Sequence, residues 1–208
     1  MKIEFENIDD KNRKLIRKWI KSVLTLAKKQ ISLKDAVIKV ARTKNSEDYK
    51  ELKGIGGYCP SDSLIQISVD ESNSGFGFDS FALTLTHELN HLARRQSGIK
   101  TGEDTFMECL ISEGLADYFC HQLFGKYPVW IKNQDDATIK RYLKLSEPII
   151  NIRMTDKLYK TWFTTGSKKQ NIPKWAGYDL GLYLTSRIFR KNKSQKMSEL
   201  IKLSASDI

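Results

Sequence analysis

Cysteine is scarce in this chain of 208 residues: Cys59, Cys109 and Cys120 are the three present, and no two form a CxxC pair. So sparse and odd a set is no disulfide framework, and buried, reduced thiols are expected. Long hydrophobic runs are missing too. No apolar stretch approaches the roughly 20 residues that cross a bilayer, so no membrane-spanning helix is expected. The opening "MKIEFENIDDKNRKLIRKWI" mixes charge with apolar residues and holds no signal-peptide core, which points to the cytoplasm. Nor is there a zinc finger, an RRM signature or an aromatic-basic platform to accompany the net charge of +10. Nucleic acid therefore stands as a possible partner without a motif behind it. Histidine is also rare, at three in the chain, so where the histidines fall is informative.

What is present describes a folded globular protein, with 40% hydrophobic and 29% charged residues. One domain spanning 1–208 is the simplest reading, with an N-terminal helical part over 1–50 and a core over 54–203. Basic residues crowd two helical segments, around Lys11 to Lys21 and around Arg187 to Lys196. They read as solvated helix faces, with an acidic partner or nucleic acid as the other reading. "KIEFE" suits a short strand, and Asp9 or Asp10 suits the cap of a helix running to about Lys29. "LKDAVIKVA" fits either a helix or a strand. Gly54, Gly56, Gly57 and Pro60 read as turn punctuation, and "SLIQISVD" alternates as a half-exposed strand does. Asp79 or Ser80 can cap a helix from Phe81 to Arg95 that Gly98 stops. A second helix is expected from Asp104 to Phe124, with Gly125 just past its end. Helical patterns follow from Trp130 and, as a last pair, from Ala176 onward. The fold class expected is α+β, helix-rich with a small mixed sheet.

Two of the three histidines lie in "LTLTHELNHLARR", residues 83–95. Positions four apart on a helix sit about 40° apart and one turn along, so His87 and His91 can reach one ion. Glu88 flanks the same place and can act as a base towards water. Zinc suits such ligands and lowers the pKa of its water towards about 7. The competing reading is a plain helix with packed histidines. A further carboxylate weighs against it: Glu113, in "MECLISEGLADYFCHQLFG", stands among Leu110, Ile111 and Leu115. A carboxylate on an apolar face is costly unless paired, and a zinc ion would pair with it. Asp117 follows one turn on, placed to accept the free ring N–H of a ligand histidine. Gly114 and Ala116 are small enough to let the two helices approach. Glu108, five residues before Glu113, is the weaker ligand candidate. His121, about 80° round from Glu113, falls outside the set, and adjacency on a helix argues against a metal shared by Cys120 and His121. Arg94 and Arg95 read as cations at a helix C-terminus rather than as partners of Glu108, Asp117 or a substrate carboxylate.

HELNH followed by SEGLAD resembles the gluzincin division of zinc metallopeptidases. More narrowly, "LTLTHELNHLARR", "TFMECLISEGLADYF" and "WAGYDLGLYLTSRI" are similar to a bacterial family of predicted Zn-dependent proteases, with the similarity spanning roughly residues 54–203. The resemblance implies a zincin-like fold around an HExxH helix, zinc held by His87, His91 and Glu113, Glu88 as base, and a peptide or protein as substrate. It also implies that "SLIQISVD" is an edge strand that binds extended substrate. Peptide hydrolysis needs an oxyanion donor, and Tyr178 in "AGYDLG" is the candidate, with Gly177 and Gly181 letting its helix come close. The competing reading of Tyr178 is a buried aromatic with a satisfied hydroxyl. Two other functions stay open: a zinc-stabilised binding or regulatory module with little catalysis, and metal-dependent hydrolysis of a non-peptide amide. Oligomeric state is not legible.

Overall fold

The computed structural model describes residues 1–43, 47–99, 104–191 and 193–208. Strand β1 (Lys2–Glu6) leads into helix α1 (Asp10–Ala27), capped by Asp9, whose carboxylate accepts from the Asn12 N–H at 2.9 Å. Ile16, Ile20, Val23 and Ala27 recur at helical spacing and are buried. The ambiguous segment after α1 is a strand, β2 (Val37–Arg42), because Ile38 and Val40 point inward while their neighbours stay half-exposed, a period of two. A short helix α2 (Glu47–Glu51) precedes β3 (Ile55–Ser61) and β4 (Leu64–Val69). The sheet runs β1-β2-β4-β3, with β1, β2 and β4 parallel and β3 antiparallel to β4. Its mixed character agrees with the sequence reading.

Two expectations fail in this sheet. Gly54 is a turn residue as expected, at φ 77°, but "IGGYCPS", with Gly56, Gly57 and Pro60, is strand β3, at the sheet edge. "SLIQISVD", expected at the edge, is β4 and lies inside, between β2 and β3. Its alternation of buried Ile65, Ile67 and Val69 reports only that one face is covered, and says nothing about how many neighbours the strand has.

Helix α3 (Phe78–Gln96) begins one residue after Gly77, not at Asp79 or Ser80; the Ser80 hydroxyl instead accepts from the Gly77 N–H at 3.3 Å. Every residue from Phe81 to Arg94 is buried, for α3 lies between the sheet, α1 and helix α4 (Phe106–Phe124). Thr105 caps α4, and Gly125 closes it at φ 65°, where a left-handed residue accommodates the last turn. Helix α5 spans Asp136–Ser146, so the expected helix from Trp130 starts six residues late, behind an Asp135 cap; Trp130 and Ile131 turn back onto the interior instead. Helix α6 (Asp156–Tyr159) runs into a π-helical turn over Lys160–Thr164. Then come α7 (Ala176–Lys191) and the short α8 (Met197–Leu200).

Helices α4 and α7 cross at two glycines. A Cβ on Gly114 would sit 2.1 Å from the Gly181 carbonyl oxygen, and one on Gly181 would sit 2.3 Å from that of Leu110. Gly114 therefore serves the approach of α7, not that of α3 as the sequence suggested. It follows Glu113 by one residue and faces about 100° away. All three cysteines are buried and free. Among the described residues no helix is long and apolar enough to cross a membrane.

Candidate metal centre

Helix α3 presents His87, Glu88 and His91, and α4 presents Glu113 and Asp117; all five are buried. The structure brings the two pairs of sequence candidates together. His87 Nε2 lies 2.9 Å from His91 Nε2, and Glu113 Oε2 lies 3.0 Å from the first and 3.4 Å from the second. On their far sides the rings are held in place. His87 Nδ1 meets Asp117 Oδ1 at 2.9 Å, and His91 Nδ1 meets Ser112 Oγ at 3.3 Å. The Asp117 carboxylate assigns a proton to His87 Nδ1, so that in the neutral ring Nε2 is the nitrogen able to serve as a ligand.

Imidazole nitrogens and a carboxylate oxygen at such distances inside a protein share either a proton or a cation. Glu113 Oε2 is buried and hydrogen-bonded to nothing, a costly state for a carboxylate oxygen. Four-coordinate zinc with nitrogen and oxygen ligands at about 2.0–2.1 Å sets those ligand atoms roughly 3.3 Å apart. Edges of 2.9, 3.0 and 3.4 Å fit that demand. Among the described residues this trio forms the group of His, Cys, Asp and Glu able to hold a metal ion, with its ligand atoms within 4.8 Å of one another.

The electrostatics show how strongly the carboxylates draw positive charge to this place. Burial opposes a charged imidazole at His87, yet Asp117 and Glu113 reverse that and hold its pKa well above the ordinary value. Burial likewise opposes a charged Glu113, but His91 and His87 outweigh it and keep the carboxyl well below the usual range. Glu88 shifts upward, because burial exceeds the help it receives from the histidines. Three carboxylates share one buried pocket with two imidazoles, and such a pocket favours added positive charge.

Three further side chains escaped the sequence reading. Trp130 donates its indole N–H to the same Asp117 Oδ1 that meets His87, at 3.0 Å, and its ring stands edge-on to His87 with centroids 5.2 Å apart. A buried indole needs an acceptor, but nothing in the sequence indicates which one. Ser112 orients His91 without any local pattern to announce it. Tyr159 faces Tyr178, and burial keeps both phenols protonated. Tyr178 itself sits 6.3 Å from His87 between ring centroids and packs against Phe163 at 5.2 Å; Gly177 leaves room for that Phe163 ring, which a Cβ there would meet at 2.6 Å.

The remaining candidates lie elsewhere. Glu108 is no ligand of this group: it forms a buried ion pair with Arg94, so Arg94 is not the solvated helix-end cation expected. His121 stacks on Tyr127, with centroids 4.6 Å apart.

Strand β3 closes the site from the sheet side. A Cβ on Gly57 would fall 2.6 Å from Glu88 Oε1 and 2.8 Å from Thr84, so only glycine lets this strand lie against α3. The Asp70 N–H donates to the Gly54 carbonyl at 2.7 Å, and the antiparallel alternation then leaves the Gly57 N–H and C=O on the free edge. Two cavities open from this point. One, of about 690 Å³, holds the histidines, Glu88 and Glu113 and extends to Arg95, Arg153 and Asp156. The other, of about 350 Å³, shares Gly57, Tyr58, His87, Glu88 and Tyr178 with the first and reaches Trp175 and Tyr49. Trp175 has φ 70°, a left-handed conformation costing a bulky residue on the order of 1–3 kcal/mol.

A family model described as "Predicted Zn-dependent protease (DUF2268)" matches residues 9–208. No curated protein and no solved structure matches the chain.

Proposed function

The chain belongs to the family of predicted Zn-dependent proteases, and from that premise we propose that it is a zinc metallopeptidase of the gluzincin kind, with a zincin-like fold and a peptide or protein substrate. The observation that carries this reading is the convergence of His87 Nε2, His91 Nε2 and the unpartnered Glu113 Oε2 on one point beside Glu88. His87, His91 and Glu113 would hold the metal, and Asp117 would fix the His87 tautomer and strengthen it as a ligand. Zinc bound there supplies a Lewis acid that lowers the pKa of a coordinated water.

The rest of the chemistry belongs to the chain. Glu88 takes a proton from the attacking water on its carboxylate and passes it to the departing amide nitrogen. An upward-shifted carboxyl is suited to both transfers. Tyr178, protonated and at the junction of the two cavities, donates its O–H to the developing oxyanion. The free Gly57 N–H and C=O on β3 pair with the substrate backbone, the part the sequence reading gave to β4. Close packing of β3 on α3 keeps solvent from the far side of Glu88.

Metal analysis with a proteolysis assay tests the proposal. The purified protein should hold about one equivalent of zinc and cleave peptides. Glu88→Gln should keep the metal while turnover falls by about 10²–10⁴-fold. Unchanged turnover in that variant would remove Glu88 from its role, and a native protein that binds no zinc would sink the reading.

A further inference from the structure

The two halves of the cleft differ in chemistry. Beyond the shared residues, the larger half carries the charged Arg95, Arg153 and Asp156, beside Met154, Thr155 and a single further ring, Tyr159. The smaller half is walled by rings: Tyr49, Tyr58, Trp130, Phe163 and Trp175 line it together with Tyr178. All but Tyr58, which is 61% exposed and shared with the larger half, have packing neighbours. Trp130 packs against Tyr178 at 5.6 Å, and Phe163 against the same Tyr178 at 90°. Tyr49 occupies the space a Gly56 side chain would need, 2.8 Å from where its Cβ would be. Lys132 and Lys174 lie over the Trp175 ring at 4.7 and 4.6 Å, and Lys174 is tied to Glu51 on α2. Trp175 keeps its left-handed backbone in this setting, so the fold tolerates strain at the residue that carries this wall.

Resting on the metallopeptidase reading, we propose that this ring-walled half is the specificity subsite and receives an aromatic side chain of the substrate next to the scissile bond. Continuity supports it: His87, Glu88 and Gly57 line this half as well as the other, so a chain lying along β3 beside Glu88 has a side chain within reach of it. Chemistry selects the occupant. Ring walls offer edge-to-face and offset contacts that an aromatic guest satisfies and a small or charged one does not. Gln66, Ser68 and Thr164 add a few polar groups at the lining for a tyrosine hydroxyl or an indole N–H. Charged side chains are directed to the other half by Arg95, Arg153 and Asp156.

Two measurements on the zinc-loaded full chain test this. A random-sequence peptide library, with cleavage sites mapped by mass spectrometry, should show Phe, Tyr or Trp enriched about tenfold over Ala at one position flanking the cleaved bond. Independently of turnover, Glu88→Gln should bind a fluorescent hexapeptide carrying a central Phe about tenfold more tightly than its Ala counterpart. Adding Trp175→Leu should bring that ratio close to one. Tyr49→Ala, at a half-buried rim position less exposed to folding defects, should at least halve it. Aromatic preference in binding without any cleavage would uphold the subsite and overturn the peptidase reading. Cleavage without aromatic enrichment, or a ratio near one in Glu88→Gln, would overturn the subsite and leave the peptidase reading standing. A preference that survives both wall substitutions would also overturn it.

Discussion

Helices α3 and α4 share two buried ionic clusters, and the contrast between them separates structure from chemistry. At the first, Arg94 is wholly buried and pairs with Glu108. Its Nη1 donates to the Leu200 carbonyl at 3.1 Å, and the other Glu108 oxygen accepts from the Ala205 N–H at 2.6 Å. One cation meets one anion, and both Glu108 oxygens are used. This cluster pins the C-terminal segment to the core with its charges balanced, although the buried Arg94 Nε is left without a partner. Towards the start of α3, His87 and His91 meet Glu113 of α4 with two carboxylate oxygens, Glu113 Oε2 and Asp117 Oδ2, lacking an assigned hydrogen bond. The same two helices thus carry one cluster built around a single balanced charge pair and one whose imidazoles and carboxylate are able to hold a metal ion. Burial of charge alone does not mark a functional site; an unbalanced set of donors and acceptors does.

The contrast can be broken most forcefully at the balanced cluster. Glu108→Ala strands Arg94 in the core and should cost about 3–5 kcal/mol of stability, measured by urea denaturation. The loss should be the same with zinc and with chelator; a loss that appears only in chelator would merge the two clusters into one system. At the open cluster the dependence is reversed. Chelating the wild-type protein should lower its stability by about 2.7 kcal/mol when zinc had been present at 100 times its dissociation constant. Glu113→Ala should abolish that difference, and a chelation effect that persists in the variant would place the metal elsewhere.

Smaller effects sharpen the picture. Trp130→Phe removes one of the two donors that fix Asp117 Oδ1, and should weaken zinc binding by about tenfold in competition with a chromophoric chelator. An unchanged affinity would make Trp130 a packing residue only. Smallest of all, Lys126→Ala breaks a solvent-exposed pair with Asp79. It should alter stability by less than about 1 kcal/mol and zinc affinity not at all, with a larger change by calorimetry showing that exposed ions matter here as buried ones do.

The helices that carry the site were legible because helix geometry is local. His87 and His91 four apart, and Glu113 and Asp117 four apart, share a face whatever surrounds them. The cost of a carboxylate among Leu110, Ile111 and Leu115 was visible for the same reason. Reading failed where position depends on distant neighbours. Gly56 and Gly57 looked like turn residues because glycine is poor in strands, yet the Tyr49 ring beside Gly56 and the close approach of β3 to Glu88 at Gly57 are the reasons glycine stands there. Arg94 looked like a helix-end cation, since the partners that keep it inside, Glu108 on the next helix and the Leu200 carbonyl about a hundred residues later, lie far along the chain. Trp130 fell into a helical pattern, although its indole is turned towards Asp117.

The amino-acid order by itself therefore determined the donor set and the two helices bearing it, because both follow from residue spacing within single turns. Only the tertiary structure decided that these helices meet through their acidic and imidazole faces and that β3, not β4, forms the free edge over Glu88. It also decided that one half of the cleft is walled by rings. Those contacts join Tyr49, Gly57, Trp130, Phe163 and Trp175 across more than a hundred residues. Long-range packing of that kind has no period in the chain; it exists only once the core has closed around it.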